Sequence, residues 1–113
     1  LVLLQFGCTT AEPYRLEAPI EKVPVTPTSA VTLGYVEVDD QGELQSFEQL
    51  RTVTDQIKTQ TRYRPVHLLL FVHGWNNNAS ENASNVQSFK KTLQSLAETQ
   101  GQRGAQRLMG VYI

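Results

Sequence analysis

The feature that most constrains the fold of this chain is an apolar run over residues 66–72, which a polar loop follows directly. Every position of the run except His67 is apolar. Such a run is typical of a parallel strand covered on both faces, because these strands lose the usual alternation of apolar and polar positions. The sequence therefore predicts a central strand here, within a parallel sheet.

One amphipathic helix is predicted before this strand along the chain, and another after it. The first begins after Ser46, which can cap free N–H groups, and Gln49 three residues later completes a capping box. The second runs from about Ser84 to Thr99, and Gly101 suits its C-terminal end. The apolar stripes at helical spacing are Phe47, Leu50, Val53 and Ile57 on the first helix, and Val86, Phe89, Leu93 and Leu96 on the second.

Two further strands complete the pattern. Residues 31–38 are β-branched and aromatic, and residues 39–42 form a turn signal before a short return at 43–45. The last strand starts near Arg107. The order strand, helix, strand, helix, strand is typical of an α/β fold with right-handed crossovers, and we expect the sheet to continue past Ile113.

The chain opens on an apolar segment that ends at its single cysteine, Cys8. Gly7 before a lone cysteine resembles the lipobox of bacterial lipoproteins, in which the cysteine is lipidated after signal cleavage. Gln5 and Phe6 stand where that motif has leucine and a small residue. Residues 1–8 are thus interpreted as the end of a lipoprotein signal, the alternative being an N-terminal strand with an ordinary core cysteine.

Residues 9–30 carry four of the five prolines, which favours an extended, polyproline-like chain. At ~3.1 Å per residue, such a tether would reach up to about 70 Å and hold a domain clear of a membrane. The alternative is an arm packed along the domain, which the apolar Ile20, Val23 and Val25 would allow. Thr9 replaces the aspartate that commonly retains lipoproteins at the inner membrane, and by analogy this favours the outer membrane.

Charge and composition exclude several kinds of function. Ten Lys and Arg against eleven Asp and Glu leave no basic excess for holding nucleic acid. The histidines are His67 and His73, and two residues at this spacing do not make a zinc site. The sequence has no glycine-rich phosphate loop. We therefore expect no metal, no cofactor and no nucleic-acid partner.

The polar loop after residues 66–72 points to a different chemistry. In open α/β sheets, ligands bind beyond the carboxyl ends of the strands, where this loop is expected to lie. Gly74 permits a backbone turn that a side chain would obstruct. Backbone N–H groups held there by a rigid strand suit the binding of a developing negative charge.

The apolar strand followed by His73-Gly74-Trp75 resembles the HG turn of α/β-hydrolases, in which the loop after the third strand supplies part of the oxyanion hole. Residues 34–44, 73–79 and 85–89 extend the resemblance to a bacterial esterase/lipase-like branch, over about residues 31–113. It implies that the backbone N–H of Trp75 is the oxyanion donor. His73 and Gly74 would shape the loop, and the Trp75 indole would line the acyl pocket or pack under the loop.

The same resemblance implies that the catalytic triad lies elsewhere. The family order is serine, acid and histidine, all after this loop, so His73 is not expected to be the base. None of the serines here lies in a G-x-S-x-G pattern. We thus expect residues 31–113 to be the truncated N-terminal part of an α/β-hydrolase domain with an incomplete sheet, inactive by itself.

Two functions follow for the whole protein. The first is a lipid-anchored serine hydrolase of the cell envelope, whose partners are the membrane and a small ester or acyl substrate. The alternative is a non-catalytic α/β-hydrolase-like binding module of the envelope. A downstream nucleophile, acid and histidine would distinguish the first from the second.

Overall fold

A computed structural model of the chain describes residues 12–73, 78–101 and 107–113. The described elements follow in the order β1 (Ile20–Thr26), β2 (Ser29–Tyr35), α1 (Phe47–Thr61), β3 (Val66–Phe71), α2 (Ser84–Gly101) and β4 (Arg107–Tyr112). From β2 onward this is the predicted alternation of strands and helices. The α/β class is therefore confirmed, with one strand added at the N-terminal side.

The four described strands form one mixed sheet in the order β1-β2-β4-β3. Strand β4 pairs in parallel with both β2 and β3, whereas β1 pairs antiparallel with β2. The chain thus skips one position between β2 and β3, and β4 later fills it. Because β2, β4 and β3 point the same way, their carboxyl ends meet at one end of the sheet.

Residues 66–72 are predicted to be central in a complete sheet that continues past Ile113, and this position stays a prediction. Strand β3 pairs with β4 alone among the described residues and lies at an edge. On one face, Leu68, Leu70 and Val72 are 42%, 56% and 69% exposed. The apolar content of β3 is typical of a buried strand. Its position among the described strands is set by β4, which lies between β2 and β3.

The helices pack through two separate apolar clusters. Val53 of α1 packs with Val36, Met109 and Val111 in one of them. The other cluster unites α2 with the opposite face of the sheet. Its most buried members include Leu33, Tyr35, Val86, Leu93 and Tyr112.

Gly110 lets α2 approach β4 closely. A Cβ atom at this position would lie only 2.6 Å from Cδ1 of Leu93, so no larger residue fits without movement. The predicted stripes are confirmed in part. Val53 on α1, and Val86, Phe89 and Leu93 on α2, are buried, whereas Phe47 is 79% and Leu96 is 39% exposed.

The tether predicted over residues 9–30 is wrong for the part that forms β1. Val23 is only 2% exposed, and the backbone N–H of Tyr35 donates to the carbonyl of Pro19 at 2.8 Å. For residues 19–26, the arm packed along the domain is therefore the arrangement found. Pro24 fits in β1 because an edge strand needs no second row of N–H donors.

The Ser46 cap before α1 and the turn at Gly42 are confirmed, whereas the side chain of Gln49, expected to complete the capping box, bonds to Glu37 instead. The Oγ of Ser46 accepts the backbone N–H of Gln49 at 3.1 Å, as expected of an N-cap. Gly42 has a φ of 84°, which favours glycine, and it lies in the predicted turn. Val38 and Leu44 then form an isolated antiparallel bridge, while β2 itself ends at Tyr35.

No helix in the three described ranges is long and apolar enough to cross a lipid bilayer.

Candidate functional site at the carboxyl ends of the parallel strands

Backbone hydrogen bonds continue past the ends of the three parallel strands. The N–H of Val36 donates to Tyr112, that of Ile113 to Phe71, and that of His73 to Ile113, at 3.0, 2.8 and 2.9 Å. We call residues 72–83 the β3–α2 connection. His73, its second residue, is thus fixed to the sheet.

Of the predicted oxyanion-loop residues, His73 is described, whereas Gly74 and Trp75 lie outside the described residues, as does Cys8. The His73 ring centroid lies 5.4 Å from that of Tyr112. The structure therefore places His73 at the carboxyl end of β3, where the sequence predicted the loop to begin.

Tyr112 contacts both described ends of this connection. Its ring neighbours His73, and its hydroxyl donates to the carbonyl of Asn78 at 3.1 Å. Burial raises the pKa of the Tyr112 phenol, so the hydroxyl keeps its proton and remains a donor. Sequence reasoning missed this role because Tyr112 and Asn78 are 34 positions apart.

Glu37 is a buried carboxylate at the carboxyl end of β2, with 9% of its surface exposed. It accepts the backbone N–H groups of Tyr14 at 2.7 Å and Arg15 at 2.9 Å, and the side-chain N–H of Gln49 at 3.1 Å. Three donors compensate for the desolvation of this charge. The N-terminal segment 12–15 is thereby held at the same end of the sheet as His73.

A cavity of about 20 Å³ lies between these groups, with Glu37, His73 and Ala79 in its walls. Glu12 and Pro13 of the N-terminal segment close another side. Such a volume holds about one water molecule. The described residues therefore enclose a small polar niche here, which is too small for an acyl chain.

A larger cavity of about 470 Å³ lies at the opposite end, near the amino ends of the parallel strands. Thr32 is central to it, and its hydroxyl accepts from Lys22 Nζ and Gln60 Nε2, both at 2.6 Å. These polar groups satisfy one another. We favour the carboxyl end as the site, because open parallel sheets bind ligands there.

The carboxylate of Glu21 in β1 connects β2, α2 and the N-terminal segment 12–15. It accepts the Tyr35 hydroxyl at 2.6 Å and forms ion pairs with Lys90 at 2.7 Å and Arg15 at 3.6 Å. Burial by itself raises the pKa of Glu21, but the hydrogen bonds and positive charges outweigh it and hold the pKa below 4.5. Burial and the hydrogen bond to Glu21 raise the pKa of Tyr35.

The histidine outside the site has a partner of its own, since His67 Nδ1 lies 2.7 Å from Gln100 Nε2. Within the described ranges, no three His, Cys, Asp or Glu side chains are grouped to hold a metal ion. No protein-family model, curated protein or solved structure matches this sequence. The chemistry open to the chain therefore has to be inferred from its own residues.

Proposed function

We propose that this chain is the N-terminal part of a serine hydrolase that acts on carboxylic ester or related acyl bonds. In this proposal His73, Gly74 and Trp75 form the oxyanion-hole loop. The observation that carries the proposal is the position of His73, whose N–H is bonded to Ile113 at the shared carboxyl end of β3 and β4. The motif thus begins where an α/β sheet binds its ligands.

The chemical reason lies in how an oxyanion is stabilised. A donor is effective when it is held in place before charge develops, because it then needs no reorganisation during the reaction. The bonds of His73 to Ile113 and of Tyr112 to Asn78 hold both described ends of the β3–α2 connection. In the proposal, the donor between these two held ends is the backbone N–H of Trp75.

The nucleophile, the acid and the base of the proposed enzyme belong to residues that follow Ile113. No serine of this sequence lies in a G-x-S-x-G turn, which is the usual place of the nucleophile. Ile113 accepts the N–H of His73, so any following residue starts beside the oxyanion loop. The reaction needs no cofactor in this proposal.

We further propose that the protein is anchored through lipidated Cys8 to a bacterial membrane in the cell envelope, with the outer membrane favoured by Thr9. The backbone N–H groups of Tyr14 and Arg15 are bonded to Glu37, so the proposed tether between Cys8 and the domain would comprise only residues 9–13. Residues 9–13 then span at most about 18 Å at ~3.5 Å each. The proposed site would face the membrane at short range, which suits an amphiphilic substrate.

A non-catalytic binding module of the envelope is the second candidate. It is favoured by the exposed apolar face of β3 and the residue that follows it, formed by Leu68, Leu70 and Val72. Exposed apolar patches of this kind often mark interaction surfaces.

The first experiment is to sequence the gene past the codon for Ile113. A G-x-S-x-G motif followed by an acid and a histidine would support the hydrolase. The encoded protein should then hydrolyse short-chain esters, and replacing the motif's serine by alanine should abolish this. A frame that stops, or continues without the motif, would instead favour the binding module.

A pair of variants tests the oxyanion loop in that longer protein. Trp75→Pro removes the backbone N–H, whereas Trp75→Ala removes the indole and keeps the N–H. If this N–H stabilises the oxyanion, Trp75→Pro lowers kcat by about 10²–10³-fold and Trp75→Ala lowers it far less. Equal kcat values for the two folded variants would rule out this donor.

A further inference from the structure

Arg15 joins the N-terminal segment to the β3–α2 connection. Its Nε donates to the carbonyl of Ala79 at 3.0 Å, although 64 positions separate the two residues. Ala79 itself is only 2% exposed and belongs to the core cluster on the α2 side. The bond thus ties a buried backbone position to the start of the described chain.

The guanidinium of Arg15 is held in place by several neighbours. The backbone N–H of Arg15 donates to the Glu37 carboxylate, and Nη1 of the guanidinium forms an ion pair with Glu21 at 3.6 Å. Its Cζ lies 4.3 Å from the centroid of the Tyr35 ring, as in a cation–π contact. Since its side chain is only 16% exposed, Arg15 reaches Ala79 from a fixed position.

Two consecutive carbonyls of the connection are therefore bonded from outside. The Asn78 carbonyl accepts from Tyr112, and the Ala79 carbonyl accepts from Arg15. Two bonds on neighbouring peptide units fix the direction of the backbone as well as its position. At its other end, the connection is fixed by the bond of His73 to Ile113.

We propose that Arg15 is a positioning residue, which fixes residues 78–80, the described part of the β3–α2 connection before α2, against the sheet. The bearing of this contact on catalysis rests on the function proposed above, because it concerns the loop that contains Trp75. The role of Arg15 in fixing residues 78–80 does not depend on the proposed function, and a separate experiment tests it.

The structural test is hydrogen exchange on the full chain, followed by mass spectrometry of peptides covering residues 78–83. Arg15→Ala should speed their exchange about tenfold or more, because a hydrogen bond from a charged donor is lost. Exchange in α1 should stay unchanged. Arg15→Lys should lie in between, because a single ammonium cannot serve both Ala79 and Glu21 as a guanidinium does.

Lys22→Ala is the matched control, since it removes a cation and its bond to Thr32 at the opposite end of the sheet. Trp75 is the only tryptophan of the chain, so its fluorescence anisotropy reports on the connection. Arg15→Ala should lower this anisotropy, and Lys22→Ala should not. The proposal would be overturned if folded Arg15→Ala had the same hydrogen exchange and anisotropy as the wild type. It would also be overturned if Arg15→Ala and Lys22→Ala changed these two quantities equally.

If Arg15→Ala does not fold, the wild-type chain provides the test. Its Arg15 Nε–H should give an NMR signal that exchanges slowly with water, because it is bonded to Ala79. Exchange as fast as in free arginine would overturn the proposal.

The catalytic part is tested in the longer gene product, where Arg15→Ala should lower kcat about tenfold and leave KM nearly unchanged. An unchanged kcat would refute this part. If the wild-type protein hydrolyses no ester, the proposed function fails while the exchange result still decides the role of Arg15.

Discussion

The side-chain amide of Gln49 bonds to Glu37 at two points. Its Oε1 accepts the backbone N–H of Glu37 at 2.7 Å, and its Nε2 donates to the carboxylate at 3.1 Å. Gln49 is 1% exposed, and its own N–H is capped by Ser46. Gln49 therefore joins the first turn of α1 to the backbone that follows β2, and it stabilises the carboxylate that holds segment 12–15.

Replacing Gln49 by alanine should lower the free energy of unfolding by about 3 kcal/mol, because a buried N–H and a buried carboxylate each lose a partner. Urea denaturation measures this loss. Gln56→Ala, in the same helix but only half-buried, is the control and should change stability by less than about 1 kcal/mol. Similar losses in both variants would mean that the bonds to Glu37 contribute little.

Stability should fall at acid pH partly because of Glu21. Its pKa is lower in the folded chain than the ordinary 4.5, so the stabilisation is present above pH 4.5 and is lost as the pH falls through the folded pKa. Urea midpoints measured at pH 7 and pH 3 should differ less in Glu21→Gln than in the wild type. Glu48→Gln, on the exposed side of α1, should keep the wild-type difference. An equal pH dependence in Glu21→Gln would contradict the prediction.

The contact between Gly110 and Leu93 should appear as coupling between two mutations. Gly110→Ala overpacks this contact and should cost about 1–3 kcal/mol. Leu93→Ala leaves a cavity and should cost about 2–5 kcal/mol. The double variant should lose less than the sum, because the smaller residue 93 makes room for the new methyl group.

Gly101→Ala is the control for this cycle, since an added Cβ there meets no atom within 4 Å. It should not destabilise the chain, because alanine is the better helix former. Strict additivity of the Gly110 and Leu93 variants would show that the two residues do not share a tight contact in solution.

The exposed face of β3 should make the 113-residue chain self-associate. Leu68→Thr combined with Leu70→Thr keeps the strand propensity and removes apolar surface, so association should weaken at least several-fold. Light scattering over a range of concentrations measures it. Tyr63→Ser, which is 81% exposed and outside the strand, is the control and should have a smaller effect. A wild-type chain that stays monomeric would contradict the prediction.

The sequence by itself determined the local structure. The Ser46 cap, the turn at Gly42, the two helices and the strands from residue 31 onward were all predicted close to where they lie. It also indicated the end of the sheet at which His73 lies. Such signals act between residues a few positions apart, so capping, turn geometry and side-chain periodicity are enough to reveal them.

Only the tertiary structure decided how these elements are combined. The insertion of β4 between β2 and β3 left residues 66–71 at an edge, and the pairing of β1 turned a proline-rich segment into part of the sheet. The charged contacts behind the candidate site were equally hidden in the sequence. Glu37 meets Tyr14 across 23 positions and Arg15 meets Ala79 across 64. Strand order and buried ion partners depend on which distant segments the folded chain brings together, and no local pattern records that choice.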